Sequence, residues 1–357
     1  MKIFSDLKSS SKNEYEREAS RIKEAAHLLN PFETIDRLER FSFFSANLTN
    51  FIPTLPYAQH SLLFRKAYAY QRLSLLDEQY FDREVPLEVE GWSGPLADRV
   101  GERPHVICTL HAGSYRYVSY LLTVSRIPFA VLISGQAMAQ AAGFRKRYAD
   151  WHRRHGLSGE LPIIAADDPR AIWQMLKLLK AGYQLLVYLD GFTGLETNED
   201  QLQAVPFMGQ HLKVRRGASF LAQRLKLPLL PMLCMRDGNT IRVVADDPIC
   251  GYDDSQFSAL AMTRMFSFFA SHLLFDPAQG ENWFFLHQQI ETAALHSCRE
   301  QAVAIPKQHA GSLPTPDQYG MYRHAERCFL LKKAGCQSYE MKSDYFDMLW
   351  TQWALNT

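Results

Sequence analysis

From Gly91 onward the chain alternates between two periodicities. Short apolar runs at residues 105–110, 128–133, 161–165, 184–189 and 228–235 are separated or followed by stretches of helical periodicity at 114–124, 136–155, 169–181, 214–225 and 255–275. Runs this short and this apolar read as buried strands. Parallel strands need a crossover segment between them, usually a helix. The alternation therefore predicts an α/β fold, with a central, mostly parallel sheet flanked by helices. Asp168-Pro169 predicts a helix start with Pro at the first position, and Gly182 predicts its stop. Val243-Val244, shortly after Gly238-Asn239, predicts a final hairpin strand.

The flanks differ in character. Residues 1–84 form an expected N-terminal helical region, 85–295 the α/β core, and 296–357 a linker with a small C-terminal appendage. Within the first region, Asn13 to Leu29 reads as a mostly solvated helix. Ser61 to Tyr80 reads as an amphipathic one through Leu63, Ala67, Tyr70, Leu73 and Leu76. The aromatic and aliphatic stretch from Phe41 to Ala69, with this amphipathic helix, is expected to cover the core; lying on a membrane is its other use, with weak peripheral binding through Phe41 to Tyr57. Pro306, Gly311, Pro314 and Pro316 mark a linker. Cys328 to Lys332 and Gln337 to Met341 suggest a hairpin, and Asp344 to Trp353 a helix, too small for a core of their own and expected to pack on the main domain.

Composition narrows the function classes. A formal charge of +1 gives no general attraction for nucleic acid. No apolar run reaches the eighteen or so residues that a membrane-spanning helix needs, and no apolar leader segment is visible. The six cysteines lack C-x-x-C spacing, which predicts reduced, packed thiols and a cytoplasmic protein, soluble or peripheral to the membrane. Twelve histidines include no H-E-x-x-H, so no metal site is expected.

The chemistry points to His111. It ends the run Val106-Ile107-Cys108-Thr109-Leu110 and is followed by Ala112-Gly113-Ser114 and an apolar segment from Tyr117 to Val124. Such a strand-to-helix corner presents a side chain toward the crevice at the end of a sheet. Asp190, before Gly191 at the end of another apolar run, is expected at the same edge; an Asx-turn or a helix cap would equally explain it. Cys108 is a conceivable nucleophile, but its run suggests burial.

These pieces, in order, resemble the acyltransferases that add the late acyl chains to lipid A, a branch of the lysophospholipid acyltransferase-like superfamily. The resemblance covers roughly residues 85–290. Besides the His111 corner it rests on Tyr188-Leu189-Asp190-Gly191, Val205-Pro206-Phe207-Met208-Gly209, Arg216-Gly217-Ala218, Leu227-Pro228-Leu229-Leu230-Pro231 and Pro277-Ala278-Gln279 through His287. It implies an α/β acyltransferase core, with His111 as general base and the loop of Phe207 and Gly209 against the reacting groups. Gly209 is then the first candidate for an oxyanion contact. One position departs from the pattern: where the family has the acid that orients its histidine, this chain has Arg116. Either Asp190 orients His111, or His111 works without an orienting acid, or the site has lost catalysis. Arg116 itself is expected to bind an anionic group of the substrate or to pair with an acid such as Asp190.

Two basic clusters are candidate phosphate contacts, with solvated helix charge as the plainer explanation. Arg153 and Arg154, with Lys146 and Arg147, flank a predicted helix whose apolar face holds Phe144, Tyr148, Trp151 and His155. Lys213, Arg215 and Arg216 precede Gly217 at a helix N-terminus. Glu196, Glu199 and Asp200 read as solvated loop charges. The expected function is transfer of an acyl or aminoacyl group from a phosphopantetheine thioester to an alcohol or amine. The donor would be an acyl or peptidyl carrier protein or coenzyme A, and the acceptor a small molecule or lipid. No tightly bound cofactor is expected. The rival is a catalytically silent protein that keeps the crevice to hold a carrier or a lipid.

Overall fold

The computed structural model describes residues 2–81, 87–140, 142–154, 156, 161–191, 201–290 and 313–355. Three helices come first: α1 (Lys2–His27), α2 (Ile35–Phe51) and α3 (His60–Gln79). Then follow β1 (Glu88–Glu90), α4 (Gly94–Glu102), β2 (Val106–Thr109), α5 (Tyr117–Val124), β3 (Phe129–Ile133), α6 (Gly135–Gln140), α7 (Ala142–Arg154) and β4 (Ile163–Ala165). After these come α8 (Ala171–Lys180), β5 (Gln184–Tyr188), β6 (Leu202–Phe207), β7 (Gln210–Arg215), α9 (Gly217–Leu225), β8 (Leu229–Asp237), β9 (Thr240–Ala245) and α10 (Phe257–Phe275). The C-terminal part holds β10 (Tyr319–His324), β11 (Arg327–Lys332), β12 (Gln337–Met341) and α11 (Ser343–Leu355).

The expected α/β architecture is present. Among the described residues a seven-stranded sheet runs in the order β1-β9-β8-β2-β5-β3-β4. From β8 to β4 all neighbours are parallel, β9 runs antiparallel to β8, and β1 is parallel to β9. All four residues of β2 are buried, as a central parallel strand covered on both faces requires. A core of Ile107, Leu121, Leu122, Phe129, Leu186, Leu230 and Ile241, among others, surrounds it.

The chain divides into two compact units, and it passes between them more than once. The first comprises residues 1–22, 70–205 and 214–280 and contains this sheet; the second comprises 23–69, 206–213 and 281–357. In the second unit β10, β11 and β12 form an antiparallel sheet. That sheet packs on α2 of the same unit. The Met321 amide donates to Ser42 Oγ at 2.8 Å, and Gly320 is so close that a Cβ there would lie 2.5 Å from Ser42 Cβ. β10 falls where no strand was expected.

The stretch from Phe41 to Tyr57 supplies this unit's core, with Phe41, Phe44, Leu48 and Phe51 all buried. No described helix is long and apolar enough to cross a membrane.

Several boundaries move for physical reasons. Of the helix expected at 136–155, residues up to 140 and from 142 to 154 are helical, and residue 141 lies outside the described residues. Pro169 does not open α8, because Asp168 and Pro169 form a turn in which the Asp168 carboxylate accepts from the Arg170 amide at 2.8 Å. The helix expected from residue 214 starts at Gly217, since β7 extends through Arg215 to pair with β6. Much of the expected linker, and Glu196, Glu199, Asp200 and His155, lie outside the described residues.

Candidate active site

In the parallel pair of β2 and β5, Thr109 lies opposite Tyr188. His111 and Asp190 each stand two residues further on, so equal strand ends bring them side by side. The connection from β2 leaves past β5 to reach β3, whereas the path from β5 returns past β2 to reach β8. Right-handed crossovers in opposite directions cover opposite faces of a sheet. The gap between the carboxyl ends of β2 and β5 is therefore a topological switch point, where open α/β sheets bind ligands.

At this point one carboxylate makes two contacts with one histidine. The His111 backbone N–H donates to Asp190 Oδ2 at 2.9 Å, and ring Nδ1 lies 2.8 Å from Oδ1. The carboxylate is a pure acceptor, so Nδ1 carries the proton and Nε2 is the basic nitrogen. Asp190's side chain is 3% exposed and that of His111 37%, an arrangement of sealed acid and accessible base. Tyr188 stacks on the imidazole at 4.5 Å between centroids, and Tyr115 meets it edge-on at 4.9 Å. Of the arrangements considered for His111, this is the one with Asp190 as the orienting acid.

Arg116 pairs with a nearby acid, Glu78. Its Nε lies 2.8 Å from Glu78 Oε2, it donates to Ser74 Oγ at 3.0 Å, and its guanidinium covers the Tyr115 ring at 4.4 Å. Glu78 thus offsets the Arg116 charge.

The turn after His111 uses its own amides. Ala112 N–H donates to Leu110 O, Gly113 N–H to Gln279 O and Ser114 N–H to Cys234 O, each at 2.8 Å. These three donors are committed to the scaffold, so oxyanion stabilisation by them would require breaking the turn. Burial pushes the Cys108 thiol far up, which opposes a thiolate nucleophile there.

Phe207 is 1% exposed and packs edge-on against Phe51 in the core of the second unit. Met208 and Gly209, both at positive φ (48° and 80°), form the turn joining β6 to β7. Arg215 ends β7, and Arg216 occupies the N-cap position of α9 without a side-chain cap bond. Arg153 and Arg154 are exposed on α7, where Arg153 pairs with Asp150 at 3.3 Å, as solvated helix charges do. Among the described residues no group of histidine, cysteine and acidic side chains could hold a metal.

Sequence reasoning passed over Tyr115, Tyr188, Ser74, Asp77 and Glu78. The signal for Asp77 was present, since it follows Leu73 by one helical turn on the apolar stripe of α3, where an acid needs a partner. No protein-family model and no curated protein sequence matches the chain.

Proposed function

We propose that the protein is an acyltransferase that moves an acyl or aminoacyl group from a thioester to an alcohol or amine. It reads as a divergent relative of the lipid A late acyltransferases. The observation that carries this reading is the two-point contact between Asp190 and His111 at the switch point of the sheet. Asp190 fixes the ring and stabilises the imidazolium, the part an acid plays beside the base in hydrolytic triads. In the reaction His111 Nε2 takes the proton of the acceptor's O–H or N–H as the oxygen or nitrogen attacks the thioester carbonyl. The tetrahedral intermediate then expels the thiolate, which recovers that proton from Nε2. The products are an ester or amide and a free thiol. The donor in this reading is a phosphopantetheine thioester, carried by an acyl or peptidyl carrier protein or by coenzyme A. The acceptor is a small molecule or a lipid.

The test is mass spectrometry of products from panels of acyl thioesters and acceptors, using the full chain. Transfer is expected, with His111→Ala and Asp190→Asn each lowering kcat by about 10²–10⁴-fold. A folded His111→Ala variant with undiminished transfer would remove His111 from the chemistry. No transfer from any thioester class would leave the carrier- or lipid-binding alternative.

A further inference from the structure

Beneath the His111 turn lies a buried ionic cluster whose members come from distant parts of the sequence. Asp77 of α3 and Arg236 of β8 form an ion pair with side chains 0% and 3% exposed. Tyr15 of α1 donates to Asp77 Oδ1 at 2.7 Å, and Ser114 Oγ donates to Asp77 Oδ2 at 3.0 Å. Arg236 also donates from Nε to Ser114 Oγ at 3.3 Å. A second path runs through Gln279. Its Oε1 accepts from the Arg236 amide at 2.7 Å, its Nε2 donates to Arg236 O at 3.0 Å, and its backbone carbonyl accepts from Gly113. All these residues belong to the first compact unit.

A buried ion pair is a poor source of stability compared with apolar side chains of the same volume, because desolvation offsets the attraction. Its strength lies in directional specification. Here the directions converge on Gly113 and Ser114, the second and third residues after His111. Upstream, His111 is fixed by β2 in the middle of the sheet. Downstream it is fixed by this cluster. The Asp190 contact needs both the backbone N–H and the ring of His111 in place, so a shift of the turn would break one of the two bonds.

We propose that the Asp77–Arg236 pair, acting through Ser114 and Gln279, is the positioning device that holds His111 against Asp190. Its residues are positioning residues, none of which supplies the base or its orienting acid. They set the backbone from which the base projects, and thereby its tautomer. The proposal rests on His111 as the base, but the position of the ring can be read without any transfer assay.

The test is nitrogen NMR of the full chain carrying ¹⁵N-labelled histidine, with the His111 ring assigned by its loss in His111→Ala. The parent is expected to hold the Nδ1–H tautomer. In Ser114→Ala, and in Asp77→Asn where it folds, the Nε2–H tautomer is expected to rise to at least an equal share. Where transfer is measurable, kcat falls by about 10–100-fold with little change in KM, as a displaced but intact catalytic group predicts. Ser114→Ala removes one hydroxyl and leaves the ion pair intact, so it remains informative if Asp77→Asn does not fold. An unchanged Nδ1–H tautomer in folded Ser114→Ala overturns the proposal and makes the cluster purely structural. A shifted tautomer in a protein whose parent transfers no acyl group sustains the positioning role and removes the acyltransferase reading instead.

Discussion

Gly113 can be nothing but glycine. Its φ is +58°, and a Cβ would lie 2.5 Å from Cys234 O and 2.7 Å from Gln279 Oε1. Gly113→Ala is expected to cost more than about 2 kcal/mol, from backbone strain and steric overlap together. Gly209→Ala, at φ +80° with open space around it, should cost only about 1 kcal/mol. Denaturant melts of the two variants check the contrast. Arg116→Glu sets a carboxylate against Glu78, which is 7% exposed. It is expected to lose about 3 kcal/mol of stability, much of it recovered by adding Glu78→Arg. If the double exchange restores nothing, Arg116 is held by something other than its ion pair. At this scale His111 and Asp190 were legible because each ends an apolar run, and equal ends of parallel strands meet. The acids that engage the turn and Arg116 were not. Asp77 and Glu78 lie on a helix whose partners, Arg236 and Arg116, are far away in sequence, and no local periodicity connects them.

A polar cluster in the second unit gives single elements a role in pH response. Lys333, just beyond β11, is 1% exposed. Its ammonium donates to Ser45 Oγ of α2 at 2.6 Å and to Pro316 O, and lies 4.2 Å from the centre of the Tyr57 ring. Burial lowers its pKa from the ordinary 10.5 to about 7, against the opposing pull of Asp317. His60, whose Nδ1 is 2.7 Å from the same hydroxyl, is lowered from 6.5 to about 4 by burial and then by Lys333. In both cases the unfolded chain binds more protons between the two values than the folded chain does. Stability therefore rises with pH through each window, from about 4 to 6.5 for His60 and from about 7 to 10.5 for Lys333. Denaturant midpoints measured from pH 5 to 9 should climb accordingly, and Lys333→Met should flatten the alkaline part of the rise. A parent midpoint that falls between pH 7 and 9 would contradict this. The elements themselves were largely readable, since buried parallel strands are short continuous apolar runs. Their ends were less so. Asp168 closes a turn on its own backbone, and β7 extends to Arg215 to satisfy a partner strand; neither competition is visible in helical periodicity.

At the scale of the molecule, the α/β layer was legible from the alternation of periods, whereas the composition of the second unit was not. A linear reading sees an N-terminal region and a C-terminal appendage. In the structure the sheet of β10, β11 and β12 and the helix α2 share one core, with Trp353 donating to Pro314 O and Phe32 edge-on to Trp353. Deleting residues 313–357 is therefore expected to uncover Phe41, Ser42 and Ser45 and to abolish hydrogen-exchange protection in α2, while leaving the amides of β2 and β5 protected. Retained protection in α2 would mean that the helix is stabilised without the C-terminal sheet. The same interleaving governs how the chain is made. A ribosome delivers α2, with its row of phenylalanines, about 270 residues before the strands that will cover it. At roughly 5–20 residues per second that is an exposure of tens of seconds, long enough for apolar surface to attract other molecules.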